Sequence, residues 1–394
     1  MIARFAVVAL LAVASPALTP ARAEEPAVVA GSVVPDADPF YAPPPDLGSY
    51  RNGQLVTSRE IAADNLGTPV RAWQLSYRTN DSRDLPELAV TTVLVPTAPW
   101  AGPGPRPIIS EQIPEDSTGT RCAPSYGIVK GYLKSGEPVV RMLAQGWVVA
   151  VPDFEGPKST FLTGPQSAHA VLDGIRAVGQ FEPAGVGPHA TWALDGYSGG
   201  AAATGWAAQL QPAYAPELKF AGAAMGGVPA DLFTLTAYFD GGLFSAYNIA
   251  ILVGFRREYP EADLDALLNE NGRAMLAAAD NACVDDLLYG FAFRRLADNS
   301  VVADPLRDSR LANLLRENSL GATAPTMPIY NYHALTDEII PVGQADELMA
   351  RWRAGGARVM TVRDPVDEHG LESIHQMPQA QAFLLEQFTA AANR

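Results

Sequence analysis

The stretch of the sequence best suited to chemistry is Asp-Gly-Tyr-Ser-Gly-Gly at residues 195–200. It contains the spacing Gly-x-Ser-x-Gly around Ser198, between an apolar run at residues 191–194 and small residues at 201–210. A serine in a tight turn between a strand and a helix presents its hydroxyl for nucleophilic attack, and the glycines avoid clashes there. The pattern predicts a nucleophile at Ser198. A chance match in a chain rich in glycine and alanine is the alternative, and the flanking runs argue against it.

A serine hydroxyl becomes an effective nucleophile when a histidine removes its proton and a carboxylate orients that histidine. In a strand–serine–helix arrangement, the acid precedes the histidine along the chain. Asp337 follows a strand-like run at residues 327–334, so we expect it at the sheet edge that carries the serine. Glu338 adjoins it but would point the other way. Asp364 and Asp367 are weaker alternatives for the acid, and a cap or loop role is the structural alternative for Asp337.

Three histidines follow the serine in the chain, namely His333, His369 and His375. His333 lies within a strand-like run and before the acid, which favours a structural role. His369 lies between the last predicted strand and the last predicted helix, and Gly370 gives that loop backbone freedom. Since a loop tip at this sheet edge could reach both the serine and the acid, His369 is the predicted base. His375 is the alternative.

Attack on a carbonyl carbon produces an oxyanion that needs backbone N–H donors. One donor is expected from Gly199, directly after the serine, and the other from the loop at residues 114–119. Asp116 is the predicted donor in that loop, although its side chain could instead only form a turn. No Cys/His cluster has the spacing of a zinc site, and the predicted chemistry needs no metal and no other cofactor.

The arrangement of strand-like and helix-like runs indicates the scaffold for these residues. The predicted class is α/β, with a mostly parallel eight-stranded sheet covered by helices on both faces. The eight strand-like runs lie at residues 70–79, 88–96, 106–113, 147–153, 191–194, 219–227, 327–334 and 358–363. About 100 residues separate the sixth run from the seventh, where one helix would suffice, and we expect them to form an inserted helical cap.

The expected domain organisation follows from these runs. It comprises a signal peptide at 1–23, an N-terminal arm at 24–69, a core at 70–229, a cap at 230–325 and the rest of the core at 326–394. The last helix is predicted at residues 378–392. The most apolar stretch of the cap, residues 243–255, is either a buried helix of the cap or the lining of an acyl pocket or lid.

The first residues of the chain have the pattern of a secretory signal. Arg4 provides a positive start, residues 5–14 are apolar, and Ala-Arg-Ala at residues 21–23 resembles a cleavage site. A short membrane anchor is the alternative, but this run is too short to span a bilayer, and no other run approaches about 18 apolar residues. We therefore expect a secreted protein.

The charge of the chain limits the partners. The formal net charge is −15 over 394 residues, and removal of residues 1–23 takes away two arginines and no acid, which leaves −17. An acidic chain without basic clusters argues against nucleic acid as a partner and weakly against an anionic membrane surface. A neutral, apolar substrate is compatible with this charge. The sequence does not indicate an oligomeric state.

Cys122 and Cys283 are the two cysteines of the chain. An even count in an exported protein favours a disulfide. This bridge would close a loop of about 160 residues, worth roughly 5 kcal/mol in the chain-entropy account of disulfide stabilisation. Two buried free thiols are the alternative.

Several motifs occur together along the chain, beyond the serine turn. They are Asp-Pro-Phe-Tyr at 38–41, Asp-Ser at 116–117 with Cys-Ala-Pro-Ser at 122–125, Val-Pro-Asp-Phe-Glu-Gly at 151–156, Val-Leu-Asp-Gly-Ile-Arg-Ala at 171–177, and the segments 223–232 and 333–341. With them the chain resembles the secretory lipases of actinobacteria and yeasts, the family like Candida antarctica lipase A. The resemblance extends from residue 38 to the last helix.

The resemblance implies an α/β-hydrolase fold with a helical cap, and a serine esterase or lipase. Carried over by position, it implies Ser198 as nucleophile, Asp337 as acid and His369 as base. It also implies that Asp116 and Gly199 supply the backbone donors of the oxyanion hole.

The predicted function is therefore hydrolysis of acylglycerols or similar lipid-like esters through an acyl-enzyme on Ser198. An acyltransferase that uses the same acyl-enzyme and a catalytically silent binding protein are the alternatives. The expected partner is a small-molecule or lipid ester, and contact with a lipid–water interface stays open. Acyl chain length is beyond what the sequence indicates.

Overall fold

The structure is a computed structural model that describes residue 31 and residues 33–393. The predicted signal peptide at residues 1–23 lies outside the described residues. Nine strands are present in the described part: β1 (Leu55–Ile61), β2 (Val70–Asn80), β3 (Pro86–Pro96), β4 (Ile108–Gln112), β5 (Val148–Pro152), β6 (Thr191–Tyr197), β7 (Lys219–Gly226), β8 (Ile329–Ala334) and β9 (Val359–Asp364). They form one sheet in the order β1-β2-β3-β5-β4-β6-β7-β8-β9.

Eleven α-helices accompany the strands in the described part of the chain. They are α1 (Pro124–Lys130), α2 (Glu137–Ala144), α3 (Gly164–Gln180), α4 (Gly199–Tyr214), α5 (Leu232–Phe239), α6 (Ala246–Glu258), α7 (Glu270–Ala278), α8 (Val284–Gly290), α9 (Ser309–Glu317), α10 (Gly343–Ala354) and α11 (His369–Ala392). In this region none of them is both long and apolar enough to cross a membrane.

The sheet is antiparallel at one end and parallel at the other. The strands β1, β2, β3 and β5 pair antiparallel, whereas all pairs from β5 through β4 to β9 are parallel. The α/β class and the mostly parallel sheet are confirmed, but the sheet has nine strands instead of eight. The additional strand is β1, within the range 24–69 that was predicted as an arm. Most of its side chains are half-buried or exposed. The sequence of β1 therefore has no strong apolar pattern from which a strand could be predicted.

Helices cover both faces of the sheet because side chains of successive strand residues alternate between the faces. Leu194 of β6 packs in one apolar cluster with α3, α4 and α10, while its neighbour Ala193 packs in a second cluster with α2 and α11. These clusters hold β6 rigidly from both sides, and β6 leads directly into the serine turn.

The helices α5 to α9 lie between β7 and β8 and share an apolar core of their own. That core includes the buried side chains of α6 together with Phe161 and Ala202 from the sheet side of the molecule. Ile249 and Phe255 of α6 are almost fully buried. Residues 246–255 of the apolar stretch are thus a buried helix of this core, whereas Leu243 at its start is 54% exposed.

The last helix begins earlier than predicted. It starts at His369 instead of residue 378, and Pro378 lies inside it. The side chain of Glu368 caps the helix by accepting the N–H groups of Gly370 (2.9 Å) and Leu371 (2.7 Å). The prediction was wrong because proline is typical of a first helical turn, whereas the capping glutamate sets the start here.

The predicted disulfide is present between Cys122 and Cys283. Cys122 precedes α1, and Cys283 is the residue before α8. The bridge therefore ties the segment between β7 and β8 to the loop region that follows β4.

Candidate active site

Ser198 sits in a strained turn between β6 and α4. Its φ of 53° and ψ of −123° lie in a region that residues with a side chain rarely adopt. The turn is held from both sides, since the Ser198 N–H donates to Gly226 O (2.9 Å) and Ser198 O accepts the N–H of Ala202 (3.1 Å). This arrangement presents the hydroxyl at the carboxyl edge of the sheet and is that of a nucleophile elbow.

The glycines on either side of the serine are required by close contacts. A Cβ on Gly196 would lie 2.5 Å from Gly200 O, and a Cβ on Gly200 would lie 1.8 Å from Gln112 O. Both contacts are with backbone, which cannot move aside. The spacing Gly-x-Ser-x-Gly is thus explained by the close approach of α4 to β6 and β4.

The structure brings the three predicted chemical groups into one chain of hydrogen bonds. His369 Nε2 lies 2.9 Å from Ser198 Oγ, and His369 Nδ1 lies 2.7 Å from Asp337 Oδ2. An ionised Asp337 fixes the proton of the neutral ring on Nδ1, which leaves Nε2 free to accept the serine proton.

The Asp337 carboxylate is held in its ionised form. Its Oδ1 accepts the N–H groups of Ile339 (3.0 Å) and Ile340 (2.7 Å). Burial alone would raise the pKa of Asp337, but hydrogen bonds from His333 and His369 outweigh it and hold the pKa well below its usual range. Asp337 therefore carries a negative charge throughout the range in which a histidine titrates.

His333, for which only a structural role was predicted, contacts the predicted acid. Its Nε2 lies 2.8 Å from Ile340 O and 3.1 Å from Asp337 Oδ2, and its side chain is fully buried. A donor at this place orients the carboxylate from the side opposite its backbone contacts. The sequence did contain one signal for this contact. A histidine near the end of an apolar strand lies four residues before the acid.

His369, the predicted base, is held at the start of a helix instead of in a flexible loop. Tyr197 donates its hydroxyl to His369 O (2.6 Å), and the His369 N–H donates to Glu338 Oε2 (3.1 Å). The expectation that Gly370 supplies freedom at a loop tip was wrong, since Gly370 lies in the first turn of α11 with no left-handed φ. Helix capping and these two contacts fix the ring instead.

The alternative residues are engaged elsewhere. His375 Nδ1 lies 2.8 Å from Asp367 Oδ2, and its side chain is 56% exposed. Asp364 Oδ1 accepts two backbone N–H groups of the turn that follows β9. Among the described residues, the hydrogen bonds of these side chains do not lead to Ser198.

The two residues predicted for the oxyanion hole lie side by side. Gly199 is the first residue of α4, where a helix leaves its N–H groups without intrahelical partners. A Cβ built on Gly199 would lie 2.1 Å from Asp116 Oδ1. Asp116 has a left-handed φ of 48°, and burial raises the pKa of its carboxyl to about 6, partly offset by His369 and Lys134.

Comparison with known proteins places the chain in a family. Residues 137–393 match the profile described as secretory lipase. The chain is 32% identical over 375 residues to the secreted triacylglycerol lipase LIP2 of Malassezia furfur, covering 90% of this chain and 79% of that protein. This chain belongs to the secretory lipase family. Secretory lipases are carboxylic ester hydrolases of the α/β-hydrolase fold, as the resemblance in the sequence implied.

The fold of this secretory lipase matches a solved structure along most of its length. The crystal structure of Candida antarctica lipase A in its closed state superposes with a TM-score of 0.85 at 29% identity, covering 92% of this chain and 88% of that one. Another relative, 32% identical and covering 90% of this chain and 83% of its own length, is a probable inactive lipase of Mycobacterium tuberculosis. Membership of the family therefore does not by itself establish activity, and the hydrogen-bonded groups at Ser198 are the evidence that bears on it.

A pair of buried carboxyl groups lies beneath the serine turn of this secretory lipase. Glu111 of β4 and Asp195 of β6 face each other in the sheet register, and they are 2% and 4% exposed. Burial raises the pKa of both groups, and the charge of Asp195 raises that of Glu111 further. The pair therefore holds a proton at neutral pH. No sequence pattern had pointed to this pair.

Proposed function

We propose that this secretory lipase hydrolyses carboxylic esters through an acyl-enzyme on Ser198. The observation that carries the proposal is the continuous hydrogen-bonded chain from Ser198 Oγ through His369 to Asp337. A silent binding protein would have no need for a strained serine aligned with a histidine whose tautomer is fixed.

The geometry supports the following sequence of steps. Ser198 Oγ attacks the carbonyl carbon of the ester while its proton moves to His369 Nε2. The imidazolium that forms is stabilised by Asp337 through Nδ1. The tetrahedral intermediate then collapses to the acyl-enzyme, and Nε2 gives its proton to the departing alcohol. Water attacks the acyl-enzyme by the same path in reverse, which releases the acid and restores the serine.

The backbone N–H groups of Gly199 and Asp116 are the donors that we assign to stabilise the developing negative charge on the carbonyl oxygen. The Gly199 amide stands at the N-terminus of α4, whose dipole also favours negative charge. The Asp116 N–H also has a competing acceptor, because it lies near the Glu155 carboxyl. Burial raises the pKa of Glu155 well above its usual range, although the amides of Ser117 and Asp116 offset this in part. A protonated Glu155 competes weakly for the Asp116 N–H.

The surface next to the base supports lipid-like esters as substrates. Large apolar side chains are exposed close to the acid and base in the chain, namely Leu335 (51%), Val366 (83%) and Leu371 (46%). Tyr238, which is 50% exposed, donates its hydroxyl to the backbone of Glu338 beside the acid. Exposed apolar side chains that flank the acid and the base in the chain fit contact with an aggregated, apolar substrate. The relative from Malassezia furfur is named a triacylglycerol lipase, and acylglycerols are the substrates we assign to this chain.

A fluorophosphonate probe tests the mechanism. The wild-type protein should be labelled on Ser198 and should hydrolyse esters, whereas Ser198→Ala should bind no probe and lose at least about 10³-fold in kcat. A folded Ser198→Ala variant with activity within tenfold of wild type would overturn the assignment. An ester series of increasing acyl length, with an added alcohol acceptor, then separates hydrolysis from acyl transfer.

A further inference from the structure

Three carboxyl groups gather beside the segment that carries the base. Asp364 ends β9, Asp367 lies in the turn that follows, and Glu372 is the fourth residue of α11. Oxygen atoms of the three side chains all lie within 4.8 Å of one another. The ester chemistry derived above uses none of these groups.

Glu372 distinguishes this cluster from an ordinary acidic surface. Its side chain is fully buried, at 0% exposure, and neither of its oxygens has a hydrogen-bond partner in the described part of the chain. By contrast, Asp364 Oδ1 accepts the N–H groups of Val366 (2.8 Å) and Asp367 (3.0 Å). A buried carboxylate without a donor is costly. Glu372 therefore needs a positively charged ligand or a proton.

The basic side chains near the cluster, Arg363 and His375, are paired with carboxylates other than that of Glu372. Arg363 binds Asp346 through Nε (2.9 Å) and Nη2 (2.7 Å). His375 contacts Asp367 from the solvent side, with Nδ1 2.8 Å from Oδ2. In the described part of the chain, neither side chain donates a hydrogen bond to Glu372. The three carboxyl groups, the buried Glu372 side chain among them, are therefore not neutralised by these two residues.

We propose that Asp364, Asp367 and Glu372 bind a divalent cation, and that calcium is the preferred ion. Calcium takes oxygen ligands at about 2.3–2.6 Å, so oxygens on opposite sides of one ion are about 5 Å apart. One oxygen from each of the three side chains lies within 4.8 Å of the other two, which is inside that span. Magnesium demands a near-ideal octahedron and usually keeps several waters, whereas calcium tolerates an irregular set of carboxylates. A set of carboxylate oxygens also favours a hard cation over zinc or copper.

A cation here would connect the end of β9 to the first turn of α11. That turn begins with His369, and Thr336 donates its hydroxyl to the backbone oxygen of Asp367. Thr336 precedes Asp337 directly, so the ion would stiffen the junction between acid and base. Its ligands would act as positioning residues through the backbone, without contact to substrate. Only this effect on the base rests on the proposed function, since cation binding itself does not.

The test uses the full chain, stripped of metal with EDTA and dialysed. Calorimetric titration with CaCl2 or MgCl2 measures binding, and thermal unfolding compares about 10 mM CaCl2 with NaCl of equal ionic strength. Extracellular calcium sites have a Kd of roughly 10⁻⁴–10⁻³ M. Calcium should then lower the unfolding equilibrium constant about 10- to 100-fold, and Tm should rise by about 2–3 °C for a chain of this size.

Two matched variants localise the effect. Glu372→Gln keeps the shape of the side chain and removes its charge, so the calcium affinity should fall at least about tenfold. Glu386→Gln changes an exposed glutamate of the same helix and should leave the calcium response unchanged. If Glu372→Gln does not fold, Asp364→Asn serves as the variant with reduced calcium affinity. Calcium titration of the wild type then still decides whether the site exists.

Two results would overturn the proposal. One is a wild-type protein that gives no heat of calcium binding and the same Tm in CaCl2 and NaCl. The other is a Glu372→Gln variant that is more stable than the calcium-free wild type while calcium has no effect, because a proton would then be the occupant. Fluorophosphonate labelling of the same samples keeps the two proposals apart. Calcium binding without labelling would retain the cation site and overturn the serine mechanism.

Discussion

Replacement of Asp337 by asparagine probes the tautomer of the base with almost no change in shape. Asp337 Oδ1 accepts two backbone N–H groups, from Ile339 and Ile340. The amide oxygen of the asparagine must take that place, because an NH2 group there would face two donors. The NH2 group is then directed at His369 Nδ1, where the carboxylate oxygen was.

The consequence for the base follows directly. An NH2 group donates to His369 Nδ1, so the ring proton moves to Nε2, the nitrogen that faces Ser198. That nitrogen can no longer accept the serine proton. His333 Nε2 keeps the Ile340 backbone oxygen as an acceptor (2.8 Å), but it meets an NH2 group where it faced Asp337 Oδ2 (3.1 Å). We expect kcat/KM to fall by about 10⁴-fold, equivalent to about 5.4 kcal/mol of transition-state stabilisation.

The assay compares kcat/KM on one short, soluble ester, so that interface binding does not enter. Thermal unfolding establishes that the variant is folded. The matched control is Asp346→Asn, an exposed aspartate on α10 that pairs with Arg363, and its activity should stay within about twofold of wild type. If folded Asp337→Asn retained more than a tenth of the wild-type activity, Asp337 would not set the tautomer and the reasoning would be wrong.

Three further predictions concern the base, the bridge and the buried acids. His369→Ala should lose activity nearly as fully as a serine variant, whereas His375→Ala should lose less than about threefold in kcat/KM on the same ester; the reverse order would reassign the base. Reduction of Cys122–Cys283 should lower the unfolding free energy by roughly 2–5 kcal/mol, measured as Tm with and without reductant, and an unchanged Tm would count against this. Burial raises the pKa of Glu111, so its contribution to stability is full below the unfolded pKa of about 4.3 and is lost as pH rises through the folded value. Glu111→Gln should therefore flatten the fall of Tm at rising pH, and a slope equal to that of wild type would contradict the assignment.

The parts of this molecule that depend on local pattern were predictable from the sequence. The turn at Ser198 is one, because glycine on both sides, a buried strand before it and small residues after it all follow from a close approach of α4 to β6. The alternation of strands and helices is another, since parallel strands buried on both faces read as continuous apolar runs. The disulfide followed from a count of two and an exported chain.

Features that depend on distant partners were not predictable. The contact of His333 with Asp337 requires that the loop after β8 fold back on its own strand. The start of α11 is set by the side chain of Glu368, and glutamate is not among the residues that typically cap a helix. The strand β1 has few buried side chains, so its position is decided by pairing with β2 and not by an apolar pattern.

The position of each group in the sheet explains why the site needs several supports. Ser198 follows β6, an interior strand covered by apolar clusters on both faces, so the turn is rigid without further help. His369 follows β9, which lies at the edge of the sheet and, among the nine described strands, pairs only with β8. Contacts from Tyr197 and Glu338 compensate by holding the backbone of the base. A cation between the end of β9 and α11 would reinforce this weaker half of the site, where a small shift would separate base from serine.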